Sequence, residues 1–142
     1  MKHQYKSILV GIDGSQEAEY AFQKSIRIAK RNKDSKLTIV NVINTSGFES
    51  SALRRTQKLS EDLVKDYESQ AEAEGIEGVS SVIEFGSPKT LITNEIAESV
   101  KADLIVCGAT GLNVVERFIT GSVSGAIVRS ATCDVLVVRK PE

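Results

Sequence analysis

The chain has 142 residues, 41% of them apolar and 26% charged, with a formal net charge of −1. That length suits one domain with one core over residues 1–142, and a near-neutral chain with scattered basic residues has no field to draw in nucleic acid or an anionic membrane surface. With no Trp and 5% aromatic residues, the core must be aliphatic. Cys107 and Cys133 lie in or beside apolar runs and read as small buried hydrophobes. A disulfide is not expected in a cytosolic protein, and the single histidine, His3, cannot complete a metal site with two cysteines. The first apolar run is far too short for a membrane span and no signal-peptide pattern follows it, so a cytoplasmic protein without a membrane partner is expected.

In chain order, "SILVGI" (Ser7–Ile12) reads as a buried strand. "AEYAFQKSIRIAKRN" (Ala18–Asn32) reads as a helix with Ala18, Ala21, Phe22, Ser25, Ile26 and Ala29 on one face. "KLTIVNVI" (Lys36–Ile43) is a second strand, followed by the polar connection "NTSGFESS". Residues 52–74 give a charged helix with Leu59, Leu63, Val64 and Tyr67 as its inward stripe. "VSSVIEF" (Val79–Phe85) alternates like a strand. "SPKTLITNEIAESV" is a helix that Ser87 can cap, with Pro88 at its first position. "ADLIVCG" (Ala102–Gly108) is a fourth strand, Ser122–Ser130 a last helix, and "DVLVVRK" (Asp134–Lys140) a fifth strand. Alternating strands and helices, with strands of near-continuous Val, Ile and Leu, predict an α/β domain: an open five-stranded parallel sheet with helices on both faces.

Ligands of such sheets bind beyond the carboxyl ends of the strands. After the first strand comes "GIDGS", where Asp13 can accept hydrogen bonds from a sugar hydroxyl or help hold a metal ion, and Gly14 and Ser15 make a capped turn. After the fourth comes "GATGLNVVERFITGSVSG", Gly108–Gly125. It is not a Walker A loop, because the chain has no Gly-Lys pair, nor a G-x-G-x-x-G fingerprint. Nor is Gly121–Gly125 a nucleophile elbow, since Val123 holds its centre. A phosphoacceptor domain would want an aspartate after the third strand, which instead ends in Phe85-Gly86. What remains is Gly108-x2-Gly111-x9-Gly121-Ser122. Glycines let backbone approach a ligand closely. A helix starting at Gly121–Ser122 offers free N–H groups and a favourable dipole to phosphate, and Ser122 and Ser124 add hydroxyl donors. The competing reading is a loop followed by a Ser-capped helix.

That spacing, with "ILVGIDGS" near the start and "DVLVV" at the end, resembles the ATP-binding branch of the universal stress protein family along essentially the whole chain. The resemblance implies a Rossmann-like sheet of order 3-2-1-4-5 and a site for ATP, ADP or AMP. Gly11, Ile12 and Asp13 would line the adenosine end, with Asp13 near the ribose or a Mg2+ or Mn2+ ion. Val42 would meet adenine through its backbone, and Gly108 and Gly111 would approach the ribose and phosphates. Gly121, Ser122, Val123 and Ser124 would bind the phosphate chain through amides and hydroxyls. Leu112-Asn113 stands where many members carry a basic residue and Ala109-Thr110 where Ser-His is common, while Arg117 matches a frequent basic position.

Glu116, within the glycine segment, reads as a surface charge and no other general base is placed there, so a nucleotide-binding stress-response or regulatory module with at most slow ATP hydrolysis is expected, with no catalytic residue assigned. Two other classes stay open: a homodimeric scaffold independent of nucleotide, and a phosphotransferase that modifies itself or a partner. In the implied order Asp134–Val138 forms an apolar sheet edge, which the same strand of a second copy would cover. A homodimer is expected, and whether dimers pair into tetramers is left open.

Overall fold

The computed structural model describes residues 4–43, 50–86, 91–109 and 122–139. Five parallel strands, β1 (Ser7–Gly11), β2 (Lys36–Ile43), β3 (Gly78–Phe85), β4 (Leu104–Gly108) and β5 (Asp134–Val138), form one sheet of order β3-β2-β1-β4-β5. Helices α1 (Gln16–Arg31), α2 (Ser50–Ala73), α3 (a π-helical stretch Leu91–Ile96 continuing as an α-turn Ala97–Ser99) and α4 (Ser122–Ser130) connect them. The expected α/β class, the parallel sheet and its order are all present.

The strands are apolar on both faces because both faces are covered. Ile8, Val10, Leu37, Ile39, Leu104 and Val106 share one core with Ala18, Ala21, Phe22 and Ile26 of α1 and Val64, Tyr67 and Ala71 of α2. Leu9, Val40, Ile105 and Cys107 share the other with Ile92, Ile96 and Ala97 of α3 and Ile127 of α4. The two helical layers thus alternate with the strand period of two. Phe22 and Tyr67 close the α1–α2 seam with ring centroids 4.5 Å apart. The Tyr67 hydroxyl donates to Glu19 at 3.0 Å. Burial first, and then that hydrogen bond to a carboxylate, push the Tyr67 phenol above its ordinary range.

Two expectations are corrected. Leu59 is not part of the inward stripe of α2: it is 69% exposed, and Ser60 takes the buried position beside it. Ser60, Val64, Tyr67 and Ala71 are spaced four, three and four residues apart, one helical face, and Leu59 is a 100° rotation away from it. The third helix is not uniformly α-helical over its described part. It opens with a π-helical stretch, and Ile92, Thr93, Ile96 and Ala97 are buried along it. Ser87 and Pro88, read as its start, lie outside the described residues.

The amino edge of the sheet is held by side chains. Asp103 accepts from the backbone N–H of Lys6 at 2.8 Å and of Ser7 at 3.0 Å, and the Tyr5 hydroxyl donates to Asp134 at 2.6 Å. That bond, then desolvation and the nearby acids, push the Tyr5 phenol up to about 12.

Candidate functional site

The chain runs from β1 through α1 to β2 and β3 on one side, then crosses to β4 and β5 on the other. The strand order therefore reverses between β1 and β4, the switch point at whose carboxyl ends open α/β sheets place a ligand crevice. β1 and β4 pair directly, Val10 opposite Val106, so the segments after Gly11 and Gly108 leave the sheet side by side.

Past β1 the backbone turns sharply. Gly14 adopts φ +84°, a left-handed conformation in which a Cβ is penalised. The Asp13 carboxylate accepts the Ser15 N–H at 2.9 Å, an Asx turn that holds the acid at the mouth of the crevice. Ser15 then caps α1, accepting the Ala18 N–H at 3.2 Å. Asp13 is half-buried.

Ile12, just before, is held on both backbone groups. Its N–H donates to the Val40 carbonyl at 2.9 Å, and its carbonyl accepts from the Asn41 side-chain amide at 2.7 Å. Its side chain is buried, so it packs in the core immediately before Asp13. Val42, one residue past Asn41, is half-buried at the end of β2.

The two glycines that end β1 and β4 sit in different surroundings. A Cβ on Gly108 would lie 2.9 Å from the Glu17 Cβ and 3.0 Å from its carbonyl carbon, so glycine is required there for α1 to pack on β4. A Cβ on Gly11 would meet only the Ile92 Cδ1 atom, at 3.5 Å, an ordinary contact. After Gly108, Ala109 is buried and still tied to the sheet through its N–H to the Val138 carbonyl at 2.9 Å.

Gly111 and Gly121 of the glycine segment, with Thr110, Leu112, Asn113 and Arg117, lie outside the described residues. Ser122, Val123 and Ser124 form the first turn of α4. The fold thus brings Gly11, Ile12, Asp13, Val42 and Gly108 to one edge of the sheet, and Ser122–Ser124 open the helix that follows β4. Sequence reading missed Asn41, passed over as one residue of a strand without strong chemistry. An amide within the apolar run Ile39–Ile43 was the available signal.

Among the described residues no group of three or more His, Cys, Asp and Glu is placed to hold a metal ion. Cys107 is buried, and that burial pushes its thiol up to about 12. Cys133 is only half-buried, not a buried hydrophobe as its apolar surroundings in sequence suggested, and both cysteines are free thiols. A cavity of about 320 Å³ lies at the opposite end of β4, lined by Thr93, Glu98, Lys101, Ile105, Thr132 and Cys133. It faces the carboxyl end of α3, where the helix dipole disfavours an anion. No described helix is long and apolar enough to cross a membrane.

A doubly wound parallel sheet with a capped Asp turn at its switch point defines an α/β domain of the kind that takes small ligands at the strand ends. The chain belongs to the universal stress protein family, whose sequence profile matches residues 4–139. It is 51% identical to a protein of Staphylococcus saprophyticus named as a universal stress protein, over 97% of this chain and 86% of the relative. Among solved structures it is similar to the universal stress protein UspA from Lactobacillus plantarum, with a TM-score of 0.84 and 29% identity over 97% of this chain and 100% of that one. It is also similar to a universal stress protein solved in complex with cAMP, with a TM-score of 0.73 and 27% identity over 96% and 98% of the two chains.

Proposed function

We propose that the protein binds an adenine nucleotide, ATP foremost, in the crevice between the carboxyl ends of β1 and β4. On this reading it serves in the cytoplasm as a stress-response or regulatory module that turns the nucleotide over at most slowly. The observation that carries the proposal is the Asp13 turn standing beside Gly108 at the switch point, with the first turn of α4 as the next helix N-terminus in the chain. Asp13 would accept ribose hydroxyls, and the backbone of Val42 would read the adenine edge. Gly108 and Gly111 would leave room for the ribose and phosphates. The amides of Gly121, Ser122, Val123 and Ser124 would hold the phosphate chain. The cAMP complex of a family member supports adenine-nucleotide chemistry in this fold.

A Mg2+ or Mn2+ ion fits only in part. Asp13 is one carboxylate, so the remaining ligands would come from nucleotide phosphates and water. The chain would also form a homodimer through β5. Among the described residues that strand has β4 as its one neighbour in the sheet, and Val135 and Val137 are half-buried. Light scattering at micromolar concentration checks this, and a monomer refutes it.

The nucleotide reading is tested by identifying what co-purifies with the protein, and by calorimetric titration of ATP into wild type and Gly121→Val. Bound adenine nucleotide, with affinity lost in the variant, is the expected result. An absence of binding heat at millimolar ATP would leave a dimeric scaffold as the better account. Phosphate incorporation from labelled ATP would favour a phosphotransferase.

A further inference from the structure

Asn41 lies in β2 among Val40, Val42 and Ile43, and it is 9% exposed. An amide in such a place costs free energy unless every polar atom finds a partner. Its nitrogen donates to the Ile12 carbonyl at 2.7 Å, and its oxygen accepts the Ser60 hydroxyl of α2 at 2.5 Å. The orientation follows from the chemistry. A backbone carbonyl can only accept, so the amide NH2 must face Ile12, and that leaves the oxygen for Ser60. Ser60 is itself buried, at 4% exposure.

The three partners join separate elements. Ile12 precedes Asp13, Asn41 precedes Val42, and Ser60 lies within α2. The amide therefore ties together the two backbone segments that the nucleotide reading uses, and anchors both to a helix with no other assigned part in the site. We infer that Asn41 is a positioning residue for the crevice, and that Ser60–Asn41–Ile12 couples α2 to the turn that presents Asp13. The inference rests on the nucleotide reading of that crevice. Neither side chain needs to touch ligand. Ser60 holds the amide, the amide holds the carbonyl, and the held carbonyl sets the direction in which the chain enters the Asp13 turn. By reciprocity of linkage, a ligand that stiffens the turn also stiffens the α2 attachment.

The test uses Ser60→Ala and the double variant Asn41→Leu/Ser60→Ala, which removes the polar groups while keeping the core apolar. Ser60→Thr, which retains the hydroxyl, is the conservative control. Two readouts are taken well below each variant's Tm: amide hydrogen exchange at Ile12 and Ser15 in ligand-free protein, and the Kd for ATP by calorimetry. Loss of one buried hydrogen bond predicts that Ser60→Ala speeds exchange at these amides and weakens ATP by about three- to tenfold, with Ser60→Thr near wild type. The double variant, which also leaves the Ile12 carbonyl without its side-chain donor, should show changes in exchange and Kd at least as large. Lowered Tm with unchanged exchange and unchanged Kd would mean that the network is only structural, and would overturn the inference. If wild type binds no ATP, the nucleotide reading itself fails and Asn41 has no site to position. That result is distinct from wild-type binding that the variants leave intact.

Discussion

Gly108→Ala is the sharpest test of how the crevice is built. The added Cβ would sit 2.9 Å from the Glu17 Cβ, 3.0 Å from its carbonyl carbon and 3.1 Å from its carbonyl oxygen. Two of those atoms are backbone in the first turn of α1, so no side-chain rotation relieves the contact, and the helix must move off β4. Overpacking of this kind costs about 1–3 kcal/mol. Alanine returns about 0.4–1 kcal/mol by restricting the unfolded chain, since Gly108 is not among the residues with positive φ. A net loss of about 1–2 kcal/mol is expected. With an unfolding entropy of about 0.3 kcal/mol/K for a chain of this length, Tm should fall by about 3–7 °C. Gly11→Ala is the control, because its Cβ meets only a flexible methyl at 3.5 Å, and its Tm should stay within about 2 °C of wild type. The assay is calorimetric or circular-dichroism melting of ligand-free protein. A Gly108→Ala variant that melts with wild type would refute the claim that this glycine serves α1–β4 packing.

Gly14→Ala should cost about 1–2 kcal/mol for a different reason: no atom lies within 4 Å of the added Cβ, but φ is +84°. Gly14→Asn should recover part of that loss in the same melts, since asparagine tolerates the left-handed region. Iodoacetamide at pH 8 should leave Cys107 unmodified in the native protein, because a thiol pushed up to about 12 holds only about one part in ten thousand as thiolate; mass spectrometry of the digested adduct checks this. Tyr5 has a folded-state value of about 12 against an ordinary 10, so it contributes stability that is complete below pH 10 and lost as pH rises towards 12. Denaturant melts across that range should show less loss in Tyr5→Phe than in wild type, and the late ionising phase of absorbance near 295 nm should shrink, with Tyr67 still contributing to it.

Much of the architecture was legible because it is local. The apolar runs at Ser7, Lys36, Leu104 and Asp134 each begin a strand, since only a sheet covered on both faces makes such runs stable. Ser15 capped α1 as its position required, and "GIDGS" gave the turn because Gly14 had to be left-handed and Asp13 could close it. Leu59 was misread because hydrophobicity was counted without phase. The helix chose the face holding Ser60, which sacrifices one exposed leucine to satisfy the amide of Asn41.

The sequence by itself determined the order of elements, the parallel sheet and the capped Asp13–Gly14–Ser15 turn after β1, because these follow from periodicity and from backbone rules acting over a few residues. Tertiary structure alone decided which distant groups would meet. Ile12 and Asn41 are 29 residues apart, and Asn41 and Ser60 are 19 apart. No local pattern encodes their hydrogen bonds, which exist because β1 and β2 pair in one register and α2 crosses above them. Gly108 likewise looked like a ligand glycine in the sequence. Only the packing of Glu17 against β4 gave it a second reason, since a missing methyl shows its purpose only when the atom that would have struck it is in place.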